Sequence, residues 1–132
     1  MDTTDAKSAR LADLSAYDLQ NPRDLSRAVA AMFDAKKGRD ISIIDLAGKT
    51  AIADYFVIVS CNSTVAVKAL YEYMEESLSR CGIRALHTDA DKKWIAVDYG
   101  SVIVHIFYEE LREFYRIERL WADGTNLKHF NE

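Results

Sequence analysis

Apolar positions change period several times along this chain, and each change marks a predicted element. Leu25, Ala28, Val29 and Met32 recur at helical spacing after Asn21-Pro22, a cap and first-turn proline, with Asp24 at the positive helix end and Gly38 as the stop. Ile41-Ser42-Ile43-Ile44 reads as a strand, and Asp54 to Ser60 as a longer strand buried on both faces, with a loop from Asp45 to Ala53 between them. Asn62 or Ser63 caps a second helix whose Val67, Leu70, Tyr71, Met74, Leu78 and Cys81 form one stripe, stopped by Gly82. A short strand at Ile83 to Leu86, a polar loop at His87 to Lys93, two alternating strands and a helix over Glu109 to Trp121 complete the pattern.

The order is thus α-β-β-α-β-β-β-α. It predicts an α/β domain over residues 21–123, a nucleotidyltransferase-like mixed sheet of about five strands flanked by helices, with at least one βαβ-type crossover. Met1 to Gln20 reads as a flexible extension with only a hint of a stripe at Leu11, Leu14 and Tyr17, and residues 124–132 as a tail.

The alternating pair is the most informative stretch. Trp94 to Tyr99 and Val102 to Phe107 flank Gly100-Ser101, which reads as the two-residue turn of a β-hairpin. One face then carries Ile95, Val97, Tyr99, Val102, Val104 and Ile106, a set suited to a core. The other presents Trp94, Ala96, Asp98, Ile103, His105 and Phe107, large aromatics beside groups that donate, accept and carry charge. Exposed, it would be an apolar patch of the kind that marks a contact site; packed under the last helix, it would be interior. Pattern alone leaves both open.

Composition narrows the function. With 132 residues and 49% hydrophobic content the chain fills one core without disulfides or metals. A net charge of -4 argues against holding nucleic acid mainly through phosphates and favours basic partners, with no sequence-specific nucleic acid implied. No apolar run is long enough for a membrane span and the first twenty residues lack secretory-signal character, so the expected place is cytoplasmic. Cys61 and Cys81 are expected to be reduced packing residues.

Candidate catalytic motifs are thin. Gly48-Lys49-Thr50 imitates the end of a phosphate-binding loop, but Ile43 stands where the first glycine belongs. Asp89-Ala90-Asp91 places two carboxylates on one side of a strand and, with the mixed α/β order, is what favours a nucleotidyltransferase-like, metal-dependent enzyme. A whole helix separates it from the Ser60 to Ser63 turn, against that enzyme's order. His87, His105 and His129 lack ligand spacing, and no nucleophile elbow accompanies any Ser, Cys or Asp. Neither a cofactor nor a metal is expected. In the last helix, Glu109 with Arg112 and Glu113 with Arg116 read as pairs on a solvated face, and Leu111, Phe114, Tyr115, Leu120 and Trp121 as its inward side.

Taken in order, Ala53 to Ile58, Trp94 to Gly100, Val104 to Phe107 and Glu118-Arg119-Leu120-Trp121 resemble the ribosomal silencing factor family, RsfS or Iojap, over roughly Leu25 to Asp123. The chain departs from the family pattern at Cys61, at Ser101 and in the His87 to Lys93 loop. The resemblance implies a non-enzymatic protein that binds the large ribosomal subunit at its ribosomal protein number fourteen. There it would block joining of the small subunit and so repress translation. It also implies a homodimer away from the ribosome. Trp94, Asp98 and Tyr99 are the residues it favours for partner binding, with His105 and Phe107 in support. A factor that escorts immature large subunits would share the same surface.

Overall fold

The structure, a computed structural model, describes residues 11–130, apart from the Phe114 side chain. Helix α1 (Pro22–Ala35) leads into β1 (Arg39–Asp45) and β2 (Tyr55–Cys61). Then come α2 (Thr64–Arg80), β3 (His87–Ala90), β4 (Trp94–Asp98), β5 (Val102–Tyr108), α3 (Glu109–Tyr115), α4 (Ile117–Trp121) and β6 (Leu127–His129). The six strands form one mixed sheet, β3-β4-β5-β2-β1-β6, in which β2 and β5 run parallel and every other pair antiparallel. The parallel pair is bridged by the crossover that contains α2.

Local chemistry sets the long helices. The Asn21 side chain accepts from the Asp24 N–H at 3.1 Å, and the Ser63 hydroxyl from the Ala66 N–H at 3.0 Å. Helix α2 stops at Gly82, left-handed at φ +84°, where the Ile83 N–H closes back on the Leu78 carbonyl at 2.9 Å. After α1 the left-handed residue is Lys37, not Gly38. Gly38 answers a different need: a Cβ there would lie 2.7 Å from Cγ2 of Val59.

Helices α1 and α2 cover one face of the sheet. Phe33, Val29, Val67, Leu70, Met74 and Leu78 meet Val57, Val59, Ile95, Val97, Val104 and Ile106 in a single apolar cluster. The hairpin has the expected register, Trp94 opposite Phe107, and the Tyr99 N–H donates to the Val102 carbonyl at 2.9 Å across the Gly100-Ser101 turn.

Several expectations are corrected. The third strand is His87–Ala90, inside the stretch read as a polar loop, and Ile83 to Leu86 is not a strand. The stretch read as a tail contributes β6, which pairs with β1, so the strands number six where about five were expected. The helix expected over Glu109 to Trp121 breaks at Arg116, whose φ of 47° is left-handed. Tyr115 and Leu120, expected inward, are exposed, and Cys81 is exposed rather than packed. Of the expected extension, residues 1–10 lie outside the described residues; from Leu11 the chain makes turns, buries Leu14 in the core and donates the Ala12 N–H to the Ser77 hydroxyl at 3.2 Å. No helix among the described residues is long and apolar enough to cross a membrane.

Candidate functional site: the mixed face of the sheet

Strand alternation and the observed registers define the second face. It carries Ser42 and Ile44 of β1, Phe56, Ile58 and Ser60 of β2, Ile103, His105 and Phe107 of β5, Trp94, Ala96 and Asp98 of β4, and His87 and Asp89 of β3. The two short helices cover only part of it. Leu111, Ile117 and Trp121 close over Ile44, Phe56, Ile58 and Phe107, with Trp121 edge-on to Phe56 at 5.7 Å. Towards the β3 edge, Trp94, Ala96, Asp98 and Ile103 stay partly exposed and His87 and Asp89 are exposed.

Trp94 stands on the border between the covered and open halves. Its ring stacks on Phe107 at 4.7 Å and meets Tyr115 at 5.2 Å, and its indole N–H donates to Nδ1 of His105 at 3.1 Å. An indole N–H only donates, so Nδ1 is the acceptor and the His105 proton sits on Nε2. Burial pushes the His105 pKa down from 6.5 to about 4, against a smaller opposing pull from Glu118. The imidazole is therefore neutral at pH 7 and locks the indole in one orientation.

Beneath the helices lies a buried cation that the pattern did not anticipate. Arg112 was expected on a solvated face opposite Glu109; it is 8% exposed instead. Its guanidinium donates to Glu118 Oε1 at 2.6 Å, to the Ser60 hydroxyl at 2.9 Å, to the Ser42 hydroxyl at 3.1 Å and to the Asp40 carbonyl. One side chain thus ties α3 to α4, β1 and β2. Glu109 faces Arg39 at 3.7 Å, while Glu113 keeps its pairing with Arg116. The left-handed turn at Arg116 separates α3 from α4 and lies between the two members of the Arg112–Glu118 pair. The signal available in sequence was a serine in each of two apolar strands: Ser42 and Ser60 are both buried.

The five residues expected to meet a partner do not form one patch. Trp94 and Asp98 share the open half, Asp98 accepting from the Gly100 N–H at 2.7 Å at the turn. His105 and Phe107 lie under the indole and are buried, so they support Trp94 from below. Tyr99 points to the other face, against the α1–α2 core, and burial raises its phenol above the ordinary tyrosine range.

The catalytic candidates already have partners within the chain. Lys49 pairs with Asp123 at 2.6 Å, holding that carboxylate well below its usual range and tying the β1–β2 loop to the segment after α4. Asp89 meets His87 at 3.2 Å, and among the described residues no three His, Cys, Asp or Glu side chains are grouped to hold a metal ion. Cys61 is buried, and burial, reinforced by Glu109, pushes its thiol up to about 11, far from a reactive thiolate.

Comparison with known proteins adds an independent line. A family model described as ribosomal silencing factor during starvation matches residues 19–132. The ribosomal silencing factor RsfS of Bacillus subtilis is 32% identical over 106 residues, covering 79% of this chain and 90% of that one. A mouse protein named mitochondrial assembly of ribosomal large subunit protein 1 is 31% identical over 100 residues, 71% of this chain but 43% of its own length. A crystal structure of a protein from Chromobacterium violaceum, 26% identical, superposes with a TM-score of 0.73 over 76% of this chain and 86% of that one.

Proposed function

The chain belongs to the ribosomal silencing factor family, and from that premise we propose that it binds the large ribosomal subunit and keeps the small subunit from joining, repressing translation. The partner is ribosomal protein number fourteen of the large subunit, and the mechanism is steric exclusion without a catalytic step. The observation that carries this is the open half of the mixed face, where Trp94 is held by His105 and Phe107 at the edge of a partly exposed surface. Trp is the residue type most often found as an interface anchor. The net charge of -4, with Asp89 and Asp98 on the same surface, suits a basic ribosomal protein and speeds encounter with it. Such a factor works in the cytoplasm, and a homodimer is its form away from the ribosome.

The direct test is subunit joining. Added in excess to separated ribosomal subunits, the protein is expected to suppress the rise in light scattering that accompanies their association; normal joining at saturating protein would refute the proposal. A second reading, escort of immature large subunits, is favoured by the name of the mouse relative. Association with precursor particles, rather than with mature subunits, would select it.

A further inference from the structure

A different surface lies on the opposite face and at the opposite edge of the sheet. Arg23 and Arg27, one turn apart on α1, and Lys128 on β6 line a solvent-open cavity of about 490 Å³ together with Tyr55, Thr125 and Asp45. All three cations are exposed, and none makes an ion pair among the described residues. Asp45 is the one carboxylate in the lining, and its Oδ1 already accepts the Ala47 N–H at 2.9 Å. Three cations against Asp45 in the lining and Asp54 beside Tyr55 leave a local positive balance on a chain whose net charge is -4.

We propose that this cavity holds the phosphodiester backbone of RNA without reading its sequence. The planar guanidinium fork matches phosphate oxygens, and Arg23 and Arg27 present two such forks along one line of the helix. Lys128 adds a third cation from a separate element, so the charges are spread over α1 and β6, a layout suited to successive phosphates better than to one small anion. The Tyr55 hydroxyl remains protonated and able to donate: burial raises its pKa, Asp45 and Asp54 add to this, and Arg23 and Arg27 oppose it. Thr125 also lines the wall, its hydroxyl already donating to Asp123 Oδ1 at 2.7 Å.

The placement gives the contact a role. Four inter-strand spacings, roughly 19 Å, separate Trp94 on β4 from Lys128 on β6, and the two lie on opposite faces of the sheet, so RNA here and a protein at Trp94 are held at once without competing. Two weak contacts on one rigid body reinforce each other through effective concentration.

Fluorescence anisotropy of the full chain with a short labelled oligouridine at low salt tests the idea. Three phosphate contacts on a single strand predict a log–log salt slope of about -2. Arg23→Gln, Arg27→Gln and Lys128→Gln combined are expected to weaken binding at least tenfold with an unchanged melting curve, since all three side chains are exposed. Trp94→Ala is expected to bind the RNA like the unmodified chain. No binding by the unmodified chain, equal binding by the triple variant, or displacement of the RNA by inorganic phosphate at matched ionic strength would each overturn the proposal, the last by marking a small-anion pocket. RNA alone is the probe, so failure here is distinguishable from failure of the Trp94 contact on the subunit.

Discussion

The face under α1 and α2 and the face under α3 and α4 share the same strands but are sealed by different physics. The first is closed by area: long helices lay apolar stripes over β-branched side chains, and Val57, Val59, Val97, Val104 and Ile106 are each fully buried. The second is closed by a smaller apolar cluster together with specific bonds. Helices of 7 and 5 residues are too short to seal it by burial alone, and Arg112, Ser42, Ser60 and His105 lie buried beneath or beside them. The cover on the second face stops where its two short helices stop. Trp94 marks that boundary.

The largest effect is expected on the first face. Phe33 is fully buried, and Phe33→Ala should cost about 4 kcal/mol in urea unfolding, enough to threaten the whole fold. On the second face, Arg112→Met leaves the carboxylate of Glu118 and two serine hydroxyls without their donor. A loss of about 3 kcal/mol is expected, at the low end for a broken buried pair because Glu118 is partly exposed. Adding Glu118→Leu should restore most of it; no recovery would mean that the guanidinium acts through packing alone.

A smaller, pH-dependent effect belongs to His105. Its folded pKa of about 4 lies below the ordinary 6.5, so the unfolded chain takes up the proton first as pH falls. Its contribution is therefore complete above pH 6.5 and is lost towards pH 4, with a deficit of about 2 kcal/mol already at pH 5. His105→Asn keeps an acceptor for the indole but does not titrate there; its stability should change correspondingly less between pH 7 and pH 5 in matched urea titrations.

The same contrast explains what could be read from sequence. Periodic burial is a local signal, so the α2 stripe, the hairpin register and its apolar face were legible. The edge strands were not: β3 has no buried residue and β6 has only three residues, and both are held by backbone bonds to a neighbour that leave no pattern in side-chain character. Nor was the place of Arg112, whose hydroxyl partners come from positions 52 and 70 residues away. A left-handed arginine at 116 likewise has no local signature. The resemblance grouped Tyr99 with Trp94 and Asp98, whereas its ring packs against the α1–α2 core on the other face.

The central claim, that the open half of the mixed face is the ribosome contact, is tested most directly by co-sedimentation of Trp94→Ala with isolated large subunits. Loss of a buried interface tryptophan is expected to cost about 2 kcal/mol or more, a drop in affinity of over tenfold, while urea unfolding of the variant stays cooperative. Co-sedimentation equal to that of the unmodified chain would contradict it.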